Sequence, residues 1–84
     1  MNRKHRATVR QIFSRPVPGN VRWTDFVSLM RAVGAEVRDG RGSRTRFIWP
    51  EDVAIFHRPH PSPYMDKGAV SAARKLLEDL GVTP

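Results

Sequence analysis

No cysteine occurs in the 84-residue chain, so neither a disulfide nor a cysteine-ligated zinc can hold it together. That absence fits a reducing compartment, and the chain is expected to be cytoplasmic. No apolar run approaches the roughly 20 residues that span a bilayer, and no signal-peptide-like hydrophobic stretch follows the basic start. Neither export nor a membrane partner is therefore expected. Gly40-Arg41-Gly42 is too short for a nucleotide-binding fingerprint, and Ser43 has no G-x-S-x-G context, which argues against a hydrolase triad. Residues are also in short supply: a chain of this length makes one domain and buries only about 60–65% of its unfolded surface. It needs close packing or a partner to be comfortably stable.

What is abundant is arginine. Lys plus Arg number 15 against 8 Asp plus Glu, a formal net charge of +7, and 12 of the 15 are Arg. Residues 1–46 hold 11 cations and 3 acids, whereas residues 47–84 hold 4 and 5. Such asymmetry points to a polyanion surface, and the guanidinium fork suits phosphate oxygens. Codon usage that favours arginine is the competing explanation.

Periodicity divides the chain. In RKHRATVRQIF, Val9, Ile12 and Phe13 share one helical face with Arg6 and Arg10 away from it, which predicts a short helix ending near Ser14. Pro16, Pro18 and Gly19-Asn20 then predict a linker, so this helix reads as an appendage, residues 1–22, to a domain at 23–84. Thr24 is expected as the N-cap of the next helix, with Trp23 packing back as a staple. Phe26, Leu29, Met30 and Val33 form its buried face, and Gly34 is placed to end it. From Ala35 the period becomes two. Strands are expected over AEVRDG, over a segment pointing Thr45, Phe47 and Trp49 one way and Arg44, Arg46 and Ile48 the other, and over DVAIFH. PHPSP predicts a loop. Asp66 then caps a last helix whose core face is Val70, Ala73, Leu77 and Leu80, ended by Gly81. The order α-β-β-β-α after an extra helix predicts an α+β two-layer sandwich with one open sheet face.

The chemistry on offer is basic and imidazole. GRGSRTRF crowds Arg41, Arg44 and Arg46 around a Gly-Ser turn, with Arg38 just before it. His57 and His60 flank a turn in FHRPHP. One imidazole can take the proton of a 2′-hydroxyl, another can protonate a leaving oxygen, and arginine can hold charge on phosphorus. Loop histidines that only make hydrogen bonds are the plainer reading. His57 and His60 lack a third or fourth ligand, so no metal and no cofactor is expected. His5 reads as surface. Trp23 and Trp49 can stack on bases, though core packing suits them better in so small a domain. DNA reading by the 24–34 helix is disfavoured, because it presents little beyond Arg31 and no helix-turn-helix pair is evident.

With these motifs in place, the chain resembles the HicA family, the toxin half of HicA–HicB toxin–antitoxin pairs, from about Trp23 to Val82. Three anchors carry the resemblance: Ala32-Val33-Gly34 at a helix end, Gly42-Ser43-Arg44 opening a strand, and Pro59-His60 followed by Lys67-Gly68 and Leu76 to Gly81. The resemblance implies a double-stranded-RNA-binding-like fold, cleavage of mRNA without metal, and neutralisation by a HicB-type antitoxin. Family members usually carry a catalytic histidine directly after the Gly-Ser step, where this chain has Arg44. An arginine side chain stays protonated through the physiological range and cannot shuttle protons. Acid–base duty then falls to His60, the leading candidate, or to His57, with Arg44 holding phosphate. Arg38, Arg41, Ser43, Arg46 and Lys67 are the expected RNA contacts. The alternatives are a catalytically silent RNA-binding module on the same fold, or a histidine-to-arginine exchange that silences the site.

Overall fold

A computed structural model describes all 84 residues. Its elements are α1 (Arg3–Ile12), α2 (Trp23–Ala32), β1 (Glu36–Asp39), β2 (Arg44–Trp49), β3 (Asp52–His57) and α3 (Lys67–Asp79). The strands form an antiparallel sheet in the order β1-β2-β3. Alternation along β2 works as the sequence implies. Thr45 and Phe47 are buried while Arg44 and Arg46 are exposed, so one sheet face packs and the other stays open. The result is the expected α+β arrangement, compatible with the double-stranded-RNA-binding form. No helix is long and apolar enough to cross a membrane.

The core is built on four aromatic rings. Trp23, Phe26, Phe47 and Phe56 meet at centroid separations between 4.9 and 6.0 Å, mostly tilted or edge to face. Leu29 and Met30 from α2, and Val70, Ala73 and Leu77 from α3, close the cluster. Val9 and Ile12 belong to it too, at 2% and 1% exposure. Helix α1 therefore shares the single core and does not stand off as an appendage. The end of α1 and the turn after it are tied to α3. Arg74 Nη2 donates to Ser14 O at 3.1 Å and Ile12 O at 3.4 Å, with the guanidinium lying over the Phe13 ring.

Helix ends follow from local chemistry with one correction. Asn2 and Asp66 accept from the backbone N–H groups of His5 and Ala69, both at 2.8 Å, capping α1 and α3. Gly34 has φ 100° and Gly81 φ 76°, and each lets its helix close with a paired Schellman bond, Ala35 N to Met30 O and Val82 N to Leu77 O. Thr24 does not cap α2. The N-cap is Arg22, which makes no side-chain cap bond, and Trp23 is the first helical residue, not a staple outside it. The cause lies far along the chain. Trp23 N donates to Pro63 O, Met65 N donates to Val21 O, and Arg22 bridges Tyr64. The 58–66 loop thus holds Arg22 extended and starts the helix early, leaving Thr24 inside the first turn.

Candidate active site and nucleic-acid interface

The open sheet face is organised by register. Across the strands, Arg44 pairs with His57, Arg38 with Arg46 and Ile55, and Glu36 with Ile48 and Val53. The β2–β3 connection is only Pro50-Glu51, because Trp49 pairs with Asp52. A two-residue turn fixes every later pairing, and so it is the turn that brings His57 opposite Arg44. At such a position side chains on one face lie about 4.5–5.5 Å apart at Cβ.

At the end of this ladder His57 Nδ1 and Ser43 Oγ lie 3.3 Å apart in a hydrogen bond whose donor depends on the histidine tautomer. Arg58 N donates to Ser43 O at 2.7 Å, extending the pairing one step and fixing the serine against the strand end. The Gly-Ser turn itself is closed by Gly40 N to Arg44 O at 2.7 Å and Arg44 N to Arg41 O at 3.2 Å, with Gly42 at φ 61°. That positive φ is one that side chains on an L-residue rarely adopt, so a glycine suits the corner. Ser43, Arg44 and His57 are therefore one exposed cluster, with Arg41 in the turn beside it.

Arg38 and Arg46 sit directly opposite each other, an unfavourable pairing of like charges. Glu36 forms an ion pair with Arg38 and offsets part of it, whereas Arg46 has no acidic partner. An anionic ligand on this face would relieve the repulsion.

His60 is elsewhere. It lines a depression of about 460 Å³ with Gly19, Ser62, Tyr64, Asp66 and Lys67, at the start of α3. The structure thus groups His57 with Ser43 and Arg44, and groups His60 with Lys67. No three His, Asp or Glu side chains converge in a manner suited to a metal ion. Trp49 is half-buried and donates through Nε1 to Val33 O at 3.2 Å, and Trp23 is in the core, so neither indole lies free on the surface. His5 is half-buried against Ser28, 3.0 Å from its Oγ. Sequence reasoning missed the Ser43–His57 contact, though counting outward from a Pro50-Glu51 turn would have found it.

An α-β-β-β-α domain with a basic cluster at one end of its open sheet face defines a small α+β protein. Among family models, that for the HicA toxin of bacterial toxin–antitoxin systems matches residues 23–82. The chain belongs to this family. It is a toxin of a toxin–antitoxin pair, and an antitoxin is its partner. No curated protein and no solved structure matches it.

Proposed function

We propose that this toxin is an mRNA-cleaving endoribonuclease whose acid–base group is His57, acting beside Arg44 and restrained by a HicB-type antitoxin. The observation that carries the reading is the 3.3 Å contact between His57 Nδ1 and Ser43 Oγ, with Arg44 as the cross-strand neighbour of His57. The family's usual histidine position is Arg44 here, and an imidazole stands on the adjacent strand beside it. Ser43 engages Nδ1 and so leaves Nε2 as the nitrogen for chemistry. In the proposed step Nε2 takes the proton of the RNA 2′-hydroxyl, and the 2′-oxygen attacks the adjacent phosphorus. The bond to the 5′-oxygen breaks, that oxygen takes a proton from solvent, and a 2′,3′-cyclic phosphate remains. Arg44 supports the negative charge developing on the phosphoryl oxygens. Arg41, Arg46 and Arg38 would hold flanking phosphates, and His60 with Lys67 would take the backbone further along.

The antitoxin is expected on the same face. Val53 and Ile55 are 51% and 53% exposed there, among Arg38 and Arg46. An apolar centre with a cationic surround suits an acidic partner that covers the site.

The test is incubation of the purified chain with a labelled mRNA, alongside His57→Ala, His60→Ala and Arg44→His. General acid–base groups contribute about 10²–10⁴-fold. Loss on that scale is expected in His57→Ala, with His60→Ala within roughly tenfold of the parent. Full cleavage by His57→Ala would overturn the assignment. Cleavage that occurs only after Arg44→His would support the second reading, a silent RNA-binding module, which the arginine at the family's histidine position favours.

A further inference from the structure

Residues 1–22 carry six cations, Arg3, Lys4, Arg6, Arg10, Arg15 and Arg22, and no acidic residue. Residues 23–84 hold the other nine cations against all eight acids. The positive charge is therefore concentrated in the segment that precedes the family-matched residues 23–82. Helix α1 decides where it points. With 3.6 residues per turn, Arg3, Arg6 and Arg10 fall within about 60° of one another, on the side opposite Thr8, Val9 and Ile12. Those three are buried and the three arginines are exposed. The stripe runs about 10 Å along the helix axis. None of its members has an acidic partner, since the two ion pairs of the molecule are Lys4–Asp25 and Arg38–Glu36. Because α1 packs on α2 and α3, the stripe belongs to the helical side of the fold, apart from the open sheet face.

We propose that the outward face of α1 is a second RNA-binding surface, which grips the phosphate backbone through Arg3, Arg6 and Arg10 independently of the Ser43–His57 site. This rests on the RNA-directed reading above. Two observations favour a nucleic-acid backbone over an acidic protein. A protein interface has an apolar centre, and beside the arginines this face offers only Ala7 and, at the start of the helix, Met1, whose carbonyl oxygen accepts from Arg6 Nε and Nη2. The apolar centre is on the sheet instead, at Val53 and Ile55. A phosphate backbone needs nothing apolar: spaced cations suffice, and binding gains from counterion release. An antitoxin seated on the sheet leaves the stripe open, so the neutralised toxin still holds RNA.

Binding is separated from cutting by a labelled single-stranded RNA with methylated 2′-hydroxyls, followed by fluorescence anisotropy over a range of salt. The full chain is compared with a triple variant, Arg3→Gln with Arg6→Gln and Arg10→Gln, and with the corresponding triple Arg→Lys variant. Circular dichroism checks that both are folded. Each lost contact to a single strand lowers the slope of log affinity against log salt by about 0.7, so the Gln variant should lose about 2 from it. The Lys variant should keep the slope, and the antitoxin should bind all three chains alike. An unchanged slope in the Gln variant refutes the proposal. So does loss of antitoxin binding with RNA affinity intact, which would make the stripe a protein-docking face. Failure of the nuclease reading is visible separately: the parent chain would leave unmethylated RNA intact while the slopes still decided the role of α1.

Discussion

Replacing Ile12 by alanine tests whether α1 is a structural part of the toxin or a detachable arm. The side chain is 1% exposed, in the same cluster as Phe26 and Leu77. The substitution removes three carbons at about 0.8 kcal/mol each, about 2.4 kcal/mol of transfer free energy. The cavity adds to this, because Arg74 and the α3 core residues hold the end of α1 and limit collapse. A loss of about 3–4 kcal/mol is expected. A domain of this size has roughly 4–13 kcal/mol in total, so the effect is a large fraction of it. The assay is urea denaturation followed by far-ultraviolet circular dichroism, with Arg10→Gln on the opposite face as a control expected to stay within about 0.5 kcal/mol. A midpoint that hardly moves, with only the helical signal of α1 lost, would refute the shared core. It would mean that α1 undocks while residues 23–84 remain folded.

Other substitutions probe single physical causes. Asp66→Ala removes the cap bond to Ala69 N and should cost about 1 kcal/mol, a drop in Tm of about 4–8 °C; an unchanged melting curve would deny the cap its role. Gly34→Ala forces a side chain into φ 100° beside Trp49 and should cost at least about 1 kcal/mol by denaturant titration, while the same change at Gly40 should cost less. Ile55→Ser, at a half-exposed site on the open face, should alter stability by no more than about 0.5 kcal/mol yet weaken antitoxin binding by roughly tenfold or more in a titration. Equal antitoxin affinity in that variant would move the partner off this face. Ser43→Ala should slow RNA cleavage far less than His57→Ala, since it removes only one hydrogen bond, worth about 0.5–1.5 kcal/mol, from the imidazole proposed to move the proton.

Local signals in the sequence were sufficient wherever the determining contacts are local. Alternation through Thr45, Phe47 and Trp49 identified the buried face of β2, and Asp66 and Gly81 marked the two ends of α3, because a strand period or a cap depends on neighbours a few residues away. Thr24 misled for the opposite reason. It has the chemistry of a cap, but the backbone of Pro63 to Met65, some forty residues on, holds the chain at Arg22 and starts the helix before it. The same kind of distance separates the two histidines. His57 and His60 are equivalent in the sequence, three residues apart in one motif. The ladder carries His57 to Arg44, and the chain then turns into the depression with Lys67 and takes His60 with it.

The two cationic surfaces also differ in a way that composition alone conceals. The family-matched residues are close to electrically balanced, so the chemistry proposed for Ser43, Arg44 and His57 rests on placement: a short turn sets an imidazole beside a guanidinium. The role proposed for the stripe on α1 rests on accumulation, since residues 1–22 hold six cations and no acid. Placement is sensitive to one residue, and accumulation is not. On the proposed reading, a single substitution at His57 should therefore slow cleavage about 10²–10⁴-fold and leave RNA affinity nearly intact. Any one of Arg3, Arg6 and Arg10 should be dispensable on its own, each changing the salt slope by less than one. Those two outcomes would separate the proposed cutting of RNA from the proposed holding of it.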